Sequence, residues 1–238
     1  MRVEIWSDVV CPWCYVGKRR FESALSRFEH RAEVDVVWRS FELDPSAPRL
    51  REGPYGVRLA EKYGVSVEQA GAMIDRMVQA GHGDGLSLRF DIARPGNTLD
   101  AHRLLHLARS AGVQDELEER LLAAAFTNGE AIAGRETLAR CAADVGLDVD
   151  ETQRVLATDA YTDDVRSDEQ EAARLGVNSV PFFAFDRRYG ISGAQPSDVL
   201  LDALRRAWTD SRADSPTAEA GPAAGTEPQS CKDDTCAV

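Results

Sequence analysis

The chain has 238 residues, 43% of them apolar, and a formal net charge of −12 at pH 7. That length supports one large domain or two small ones with a sizeable core, and no stretch of the sequence reads as a membrane span. The acidic balance argues against nucleic acid or an anionic membrane surface as partner.

The first predicted element is a strand over Val3 to Trp6, with alternating apolar side chains. Acidic Glu4 and Asp8 stand where a signal peptide needs an apolar segment, so the chain is expected to begin in its first strand and to stay in the cytoplasm. Tyr15 to Phe28 carries helix-spaced Phe21, Leu25 and Phe28. Between the two lies Cys11-Pro12-Trp13-Cys14, at a strand-to-helix junction. The first turn of a helix presents unpaired N–H groups and the positive end of the macrodipole, which stabilises a thiolate relative to a thiol. Pro12 falls where a missing N–H costs little. Cys14, three residues after Cys11, shares its helix face, so the pair can form a disulfide or resolve a mixed one. The division of labour expected is Cys11 as exposed attacking thiolate and Cys14 as resolving thiol. A structural disulfide and half of a zinc site are the competing readings; the strand–Cys-x-x-Cys–helix context favours redox chemistry.

Val34 to Phe41 alternates as a second strand, completing a βαβ unit with parallel strands. Pro45, Pro48, Gly53 and Pro54 then break the pattern, and about a hundred helical residues follow. Expected helices run from Tyr55 to Tyr63 with a stop at Gly64, and from a Ser66/Gln69 capping box with Val67, Ala70, Ile74, Met77 and Val78 on one face. Gly81, Gly83 and Gly85 are expected to end the latter, and Leu86 to Phe90 is a short extended piece. Asn97-Thr98 caps the next helix, and others are expected near 114–127, 135–145 and 150–158. His102 and His106 are four apart, a spacing that could bind metal, but no third ligand is evident and ordinary partly buried histidines are the better reading. No metal site is expected. Cys141, among Leu138, Ala142 and Val145, reads as a small buried apolar residue.

A helix over about 163–175 returns the chain to the sheet, where 180–185 and 189–193 read as a hairpin with Pro181 opening its first strand. Pro196-Ser197 begins a last helix through Trp208. From Asp210 the periodicity ends and a disordered tail is expected, closing on Cys231 and Cys236 as a second redox pair that exchanges with Cys11–Cys14 or with substrate.

Taken together, Cys11-Pro12-Trp13-Cys14 after strand one, the long helical insert, Val180-Pro181 before the hairpin and Ser192-Gly193-Ala194-Gln195-Pro196 before the last helix resemble the DsbA-type thioredoxin-fold oxidoreductases. The tail Cys-x4-Cys is similar to that of their cytoplasmic FrnE branch. The resemblance implies an α/β, thioredoxin-like fold with a large helical insertion: core at 1–48 and 160–209, insertion at 49–159, tail at 210–238. It implies Cys11 as nucleophile, Cys14 as resolving cysteine, and a cis Val180-Pro181 bond facing them. Pro12, Trp13, Val180 and Pro181 are then the substrate-binding residues, with Trp6, Trp13, Tyr15 and Phe182 as a candidate apolar surface around the sulfur. The implied activity is disulfide isomerase or oxidoreductase on protein or peptide thiols and disulfides, with no bound cofactor and with glutathione as a candidate redox partner. Trp13 stands where periplasmic relatives carry histidine, so a less oxidising pair is expected. A glutathione-dependent isomerase or kappa-type transferase relative, and a redox-switched binding module, are the alternatives.

Overall fold

The computed structural model describes residues 1–213; the expected tail, with Cys231 and Cys236, lies outside the described residues. Strand β1 (Arg2–Ser7) pairs in parallel with β2 (Asp35–Ser40) and antiparallel with β3 (Phe182–Phe185), which turns back into β4 (Tyr189–Ser192). The sheet order β2-β1-β3-β4 makes β1 an interior strand. Successive side chains of a strand point to opposite faces, and both faces here are covered. Val3 and Ile5 pack with Phe21 of helix α1 (Pro12–Ser26) and with Leu200 and Leu204 of the last helix (Ser197–Ala213). Trp6 packs the other way, with Ala172 of the helix Thr162–Arg174, and its indole N–H donates to the Asp168 carbonyl at 3.0 Å.

Glu4 shares the Trp6 face and is 1% exposed, which a carboxylate tolerates only when paired. Arg39 and Arg187 both donate to it. Arg187 sits in the hairpin turn, where it and Asp186 adopt positive φ of 54° and 47°. That is the left-handed geometry a tight hairpin needs, held by Glu4 on one side and by the Arg2 N–H donating to Asp186 Oδ1 at 2.6 Å on the other.

Between β2 and the return helix lie α2 (Tyr55–Tyr63), α3 (Val67–Gly83), α4 (Leu99–Ala111), α5 (Gln114–Phe126), α6 (Arg135–Asp144) and α7 (Val149–Ala157); the return helix is α8 (Thr162–Arg174) and the last is α9 (Ser197–Ala213). Leu104, Leu117, Leu121, Leu122, Leu138 and Val155 of this insertion are at zero exposure, each stabilising by roughly 1.5–3 kcal/mol. The insertion rests on the sheet domain where α4 meets α8 and where α5 meets α1 and β2. No described helix is long and apolar enough to cross a membrane.

Several local expectations are corrected. Thr98 does not cap α4 with its side chain; Asn97 Oδ1 accepts from the Leu99 N–H at 3.0 Å instead. Gly81 lies within α3 and does not end it: a Cβ there would stand 2.8 Å from Leu88, so the glycine makes room for that side chain. Val67 and Val78 are exposed, because α3 is covered along its Ala70 and Met77 stripe only.

Candidate active site

The site grows from the C-terminal end of β1. Asp8 turns the chain, its carbonyl accepting from the Cys11 N–H at 2.9 Å, and Cys11 takes the extended N-cap conformation (φ −99°, ψ 109°) that precedes a helix. Pro12 follows at the first helical position, where its ring suits the backbone. The Cys11 carbonyl then accepts from the Cys14 N–H at 3.0 Å, which fixes Cys14 on the inner side of the first turn. Cys14 is fully buried, Cys11 is 5% exposed, and neither is in a disulfide. Cys11 is thus less open than its role as an exposed thiolate implied: the Val180-Pro181 segment closes over it. That peptide bond is cis, and the Cys11 thiol donates to the Val180 carbonyl at 3.6 Å. Gly17, one turn further along α1, lets the helix backbone meet Pro181 directly.

Beside Cys11 opens a cavity of about 1080 Å³, bordered by Pro12, Trp13 and Val180 and by Tyr55, Arg58 and Met77 of the insertion. It is concave, mixed in polarity and large enough for an extended peptide or a tripeptide thiol. Trp13 is 39% exposed at its rim. Of the expected apolar surface, Trp6 packs in one buried cluster with Cys11, Cys14 and Val180 but is not exposed, and Tyr15 is elsewhere. Trp6 is fully buried under α8, and Tyr15 is turned into the insertion, its hydroxyl donating to Glu119 at 2.8 Å. An interior strand covered on both faces leaves no side of Trp6 free, and the helix face of Tyr15 is taken by α5. Phe182 is half-buried and meets the Trp6 ring edge-on at 6.1 Å.

Beneath the sulfur pair lies a group of charged residues at or near zero exposure, which the sequence reading did not assemble. Asp8 Oδ2 accepts from the Leu43 N–H at 2.7 Å, and Asp8 Oδ1 is 3.5 Å from His102 Nε2. The Ser7 hydroxyl donates to Glu118 Oε1 at 2.6 Å. Burial pushes the Glu118 carboxyl up to about 7, against the Ser7 hydrogen bond and the charges of His102 and Lys18. For His102, burial alone would lower the pKa, but the Asp8, Glu118 and Glu42 carboxylates outweigh it and hold the ring above its ordinary value. Burial, and then the Cys11 sulfur beside it, push the Cys14 thiol well above its ordinary value, in spite of the Asp8 backbone amide and the Ser7 hydroxyl against it. His102 is therefore more buried than the partly buried residue expected; His106 sits apart from it, with Nε2 3.1 Å from Ser40 Oγ and 3.2 Å from Asp168 Oδ2. One sequence signal pointed here. Glu118 lies on the same helix face as Gln114, Leu121, Leu122 and Ala125, all buried, so a carboxylate was placed where an apolar residue belongs.

Among the described residues no group of three or more His, Cys, Asp or Glu side chains could hold a metal ion. Pro12, Trp13 and Val180 are brought together around Cys11, Pro181 lies behind Val180, and Cys141 lies inside α6 of the insertion core.

The chain is similar to known proteins over most of its length. The family model described as DSBA-like thioredoxin domain matches residues 2–205. A solved probable DsbA oxidoreductase from Streptomyces coelicolor is 45% identical, over 100% of this chain and 99% of that one, with a TM-score of 0.84. The uncharacterized protein YwbO of Bacillus subtilis (strain 168) is 28% identical over 207 residues, 86% of this chain and 96% of its own. The cytosolic disulfide reductase DsbM from Pseudomonas aeruginosa, solved with GSH, shares the fold at a TM-score of 0.59 and 17% identity, over 90% of this chain and 99% of that one.

Proposed function

This chain belongs to the DSBA-like thioredoxin domain family, and from that premise we propose that it is a thiol–disulfide oxidoreductase acting on protein or peptide disulfides through Cys11-Pro12-Trp13-Cys14. The observation that carries the reading is the position of Cys11 Sγ: at the N-cap of α1, 3.6 Å from the Val180 carbonyl, at the edge of a cavity, with Cys14 buried behind it. The Cys11 thiolate attacks one sulfur of a substrate disulfide, forming a mixed disulfide and releasing the other sulfur as thiolate. Cys14 then displaces the bound substrate sulfur, or a second substrate thiol does so and the substrate leaves isomerised. Backbone groups of Val180 pair with an extended substrate as an added strand would, and Pro12 and Trp13 border the entrance.

In a reducing compartment, where we place the protein, isomerisation or reduction is favoured over net oxidation. Glutathione suits the return of electrons in that setting, and a disulfide reductase of the same fold was solved with GSH.

A glutathione redox titration of the full chain, with thiols trapped and located by peptide mass spectrometry, tests the reading. Reversible cycling of Cys11 with Cys14, and loss of insulin reduction and of scrambled-disulfide rescue in Cys11→Ser, are the expected results. A Cys11 that takes up glutathione without ever pairing with Cys14, or stays inert, would refute it. The same peptide data report whether Cys231 and Cys236 exchange with the pair.

A further inference from the structure

The exchange chemistry uses Cys11, Cys14 and the Val180 edge and leaves the insertion side of the cavity without a part. Tyr55 and Arg58, one turn apart in α2, both line that side. The Arg58 guanidinium is held in one place, its Nη1 donating to the carbonyls of Arg51 at 2.9 Å, Glu52 at 3.4 Å and Gly53 at 2.8 Å. Carbonyls fix its position but do not balance its charge. Nη2 is buried with no hydrogen-bond partner, and among the described residues no carboxylate pairs with Arg58. Its neighbour in the wall, Arg51, does have a carboxylate, that of Asp44. Burial accordingly holds Arg58 below its ordinary pKa, the direction expected of a guanidinium that lacks an anion. The side chain as a whole is half-buried, so an anion in the cavity meets it.

Tyr55 is fixed beside it. Its ring packs against Phe90, with centroids 4.8 Å apart, and the Arg58 guanidinium lies 5.5 Å from the ring centroid. Among the described residues its hydroxyl makes no hydrogen bond, and burial, together with the charge of Cys11, holds the proton on. This side of the cavity therefore offers a cationic fork and a neutral hydroxyl, each with a donor that the described chain leaves unpaired. Glu52 and Glu61, which line the same side, are exposed and screened by water.

A guanidinium fork matches a carboxylate in both geometry and charge. We infer that Arg58, with the Tyr55 hydroxyl as second donor, binds a carboxylate of the substrate whose sulfur Cys11 attacks. The inference rests on the oxidoreductase reading above and names its substrate class: disulfides of short or unfolded peptides that carry a carboxylate close to the reacting cysteine. Size sets how close. A cavity of about 1080 Å³ is roughly 10 Å across, which about three extended residues span. A chain terminus and an acidic side chain both supply that chemistry, and the peptides chosen below separate them.

The test uses the full-length chain with Cys231→Ser and Cys236→Ser and four peptide 2-pyridyl disulfides, whose leaving group carries no carboxylate. Acetyl-Gly-Cys-Gly is supplied with its free terminal carboxylate and as the amide; acetyl-Asp-Cys-Gly-amide is set against acetyl-Asn-Cys-Gly-amide. Stopped-flow release of pyridinethione gives the rate of attack by Cys11 as a function of peptide concentration. At least one charged peptide is expected to react with a second-order rate constant about tenfold above that of its neutral counterpart, through a lower half-saturating concentration, as one charge-assisted pair would give. Preference for the free terminus places a chain end at Arg58, and preference for Asp places an acidic side chain there. In Arg58→Gln the ratio of charged to neutral peptide should fall to within about twofold, whereas Arg58→Lys, which keeps the charge without the fork, retains part of it. Tyr55→Phe lowers the ratio without abolishing it. Equal rates within both peptide pairs in the parent overturn the inference, and that ratio decides even where a variant folds poorly. So does a preference that survives Arg58→Gln intact. Either result leaves the oxidoreductase reading standing, because pyridinethione is still released; no release from any of the four peptides would overturn that reading instead.

Discussion

A methyl group on Gly17 would stand 2.7 Å from Pro181 Cγ and 3.4 Å from the Phe183 ring. The backbone of α1 thus bears directly on the segment that carries the Val180 carbonyl to Cys11. Gly17→Ala is expected to destabilise the fold by about 1–3 kcal/mol, the range for overpacking a filled contact. It should also change the rate at which Cys11 attacks a small disulfide, since the ring can retreat only by moving the segment. Urea denaturation measures the first effect and stopped-flow the second; a variant matching the parent in both would show that the contact yields freely.

Trp13 stands 39% exposed on the cavity rim. Truncation to alanine removes apolar area that a bound peptide would cover, worth about 1.5–3 kcal/mol if covered fully. We expect Trp13→Ala to lower kcat/KM for a peptide disulfide by about tenfold or more and to leave the rate with a small aromatic disulfide within about threefold, since only the longer substrate covers that area. Equal losses on both substrates would place Trp13 in the chemistry and not in substrate binding.

Burial alone would raise the pKa of Glu4, but hydrogen bonds and charge from Arg187 and Arg39 reverse this and hold it at about 2. An unfolded glutamate titrates near 4.5, so the pairing contributes stability that is fully present above that value and is lost as pH falls toward 2. The contribution is of the order of 3 kcal/mol. Denaturation midpoints measured from pH 6 to pH 2 should therefore fall less steeply in Glu4→Gln than in the parent, from a lower starting point, because Arg39 keeps only Asp168 of its two charged partners and Arg187 loses Glu4 as well.

Glu118 has the opposite sign. Its folded pKa of about 7 lies above the unfolded value, so the stability it contributes is present below pH 4.5 and is lost as pH rises through 7. Glu118→Gln should gain stability relative to the parent across that interval. A difference independent of pH would mean that the carboxyl does not titrate there.

Burial pushes the Cys141 thiol up to about 11, and its exposure is zero. Iodoacetamide at pH 8 should leave it unmodified in the folded protein and label it fully in urea, as read by peptide mass spectrometry. Labelling of Cys141 under native conditions would mean that α6 opens locally on the timescale of the reaction.

The secondary structure was legible where one local rule decided it. Gly64 and Gly112 end their helices in the left-handed conformation, and Ser66 with Gln69 forms the expected capping box. At the candidate site, Cys11 and Cys14 were legible from their four-residue motif and from the strand and helix that flank it. Two kinds of information were not. Which face of a strand or helix is covered depends on elements far away, so Trp6 and Tyr15 read as exposed residues when both belong to the interior, Trp6 in the cluster that holds the sulfurs and Tyr15 in that of the insertion. The Asp8, His102 and Glu118 group is likewise invisible as a motif, since its members come from three separate elements; only the misfit of Glu118 with its own apolar helix face hinted at it. Cys231 and Cys236 fall outside the described residues.

The interior position of β1 has a consequence for synthesis. One edge of β1 can pair with β2 once residue 40 has been made, whereas its other edge waits for β3 at residues 182–185. At ribosomal rates of about 5–20 residues per second, that wait is roughly 10–30 s. Through nearly all of it the cysteine motif, completed by residue 14, lacks the Val180-Pro181 segment over Cys11, and through most of it also α8 behind Trp6. The nascent chain therefore passes through a long interval in which its sulfurs are open to any thiol or oxidant, and only the last fifth of the described chain closes them off.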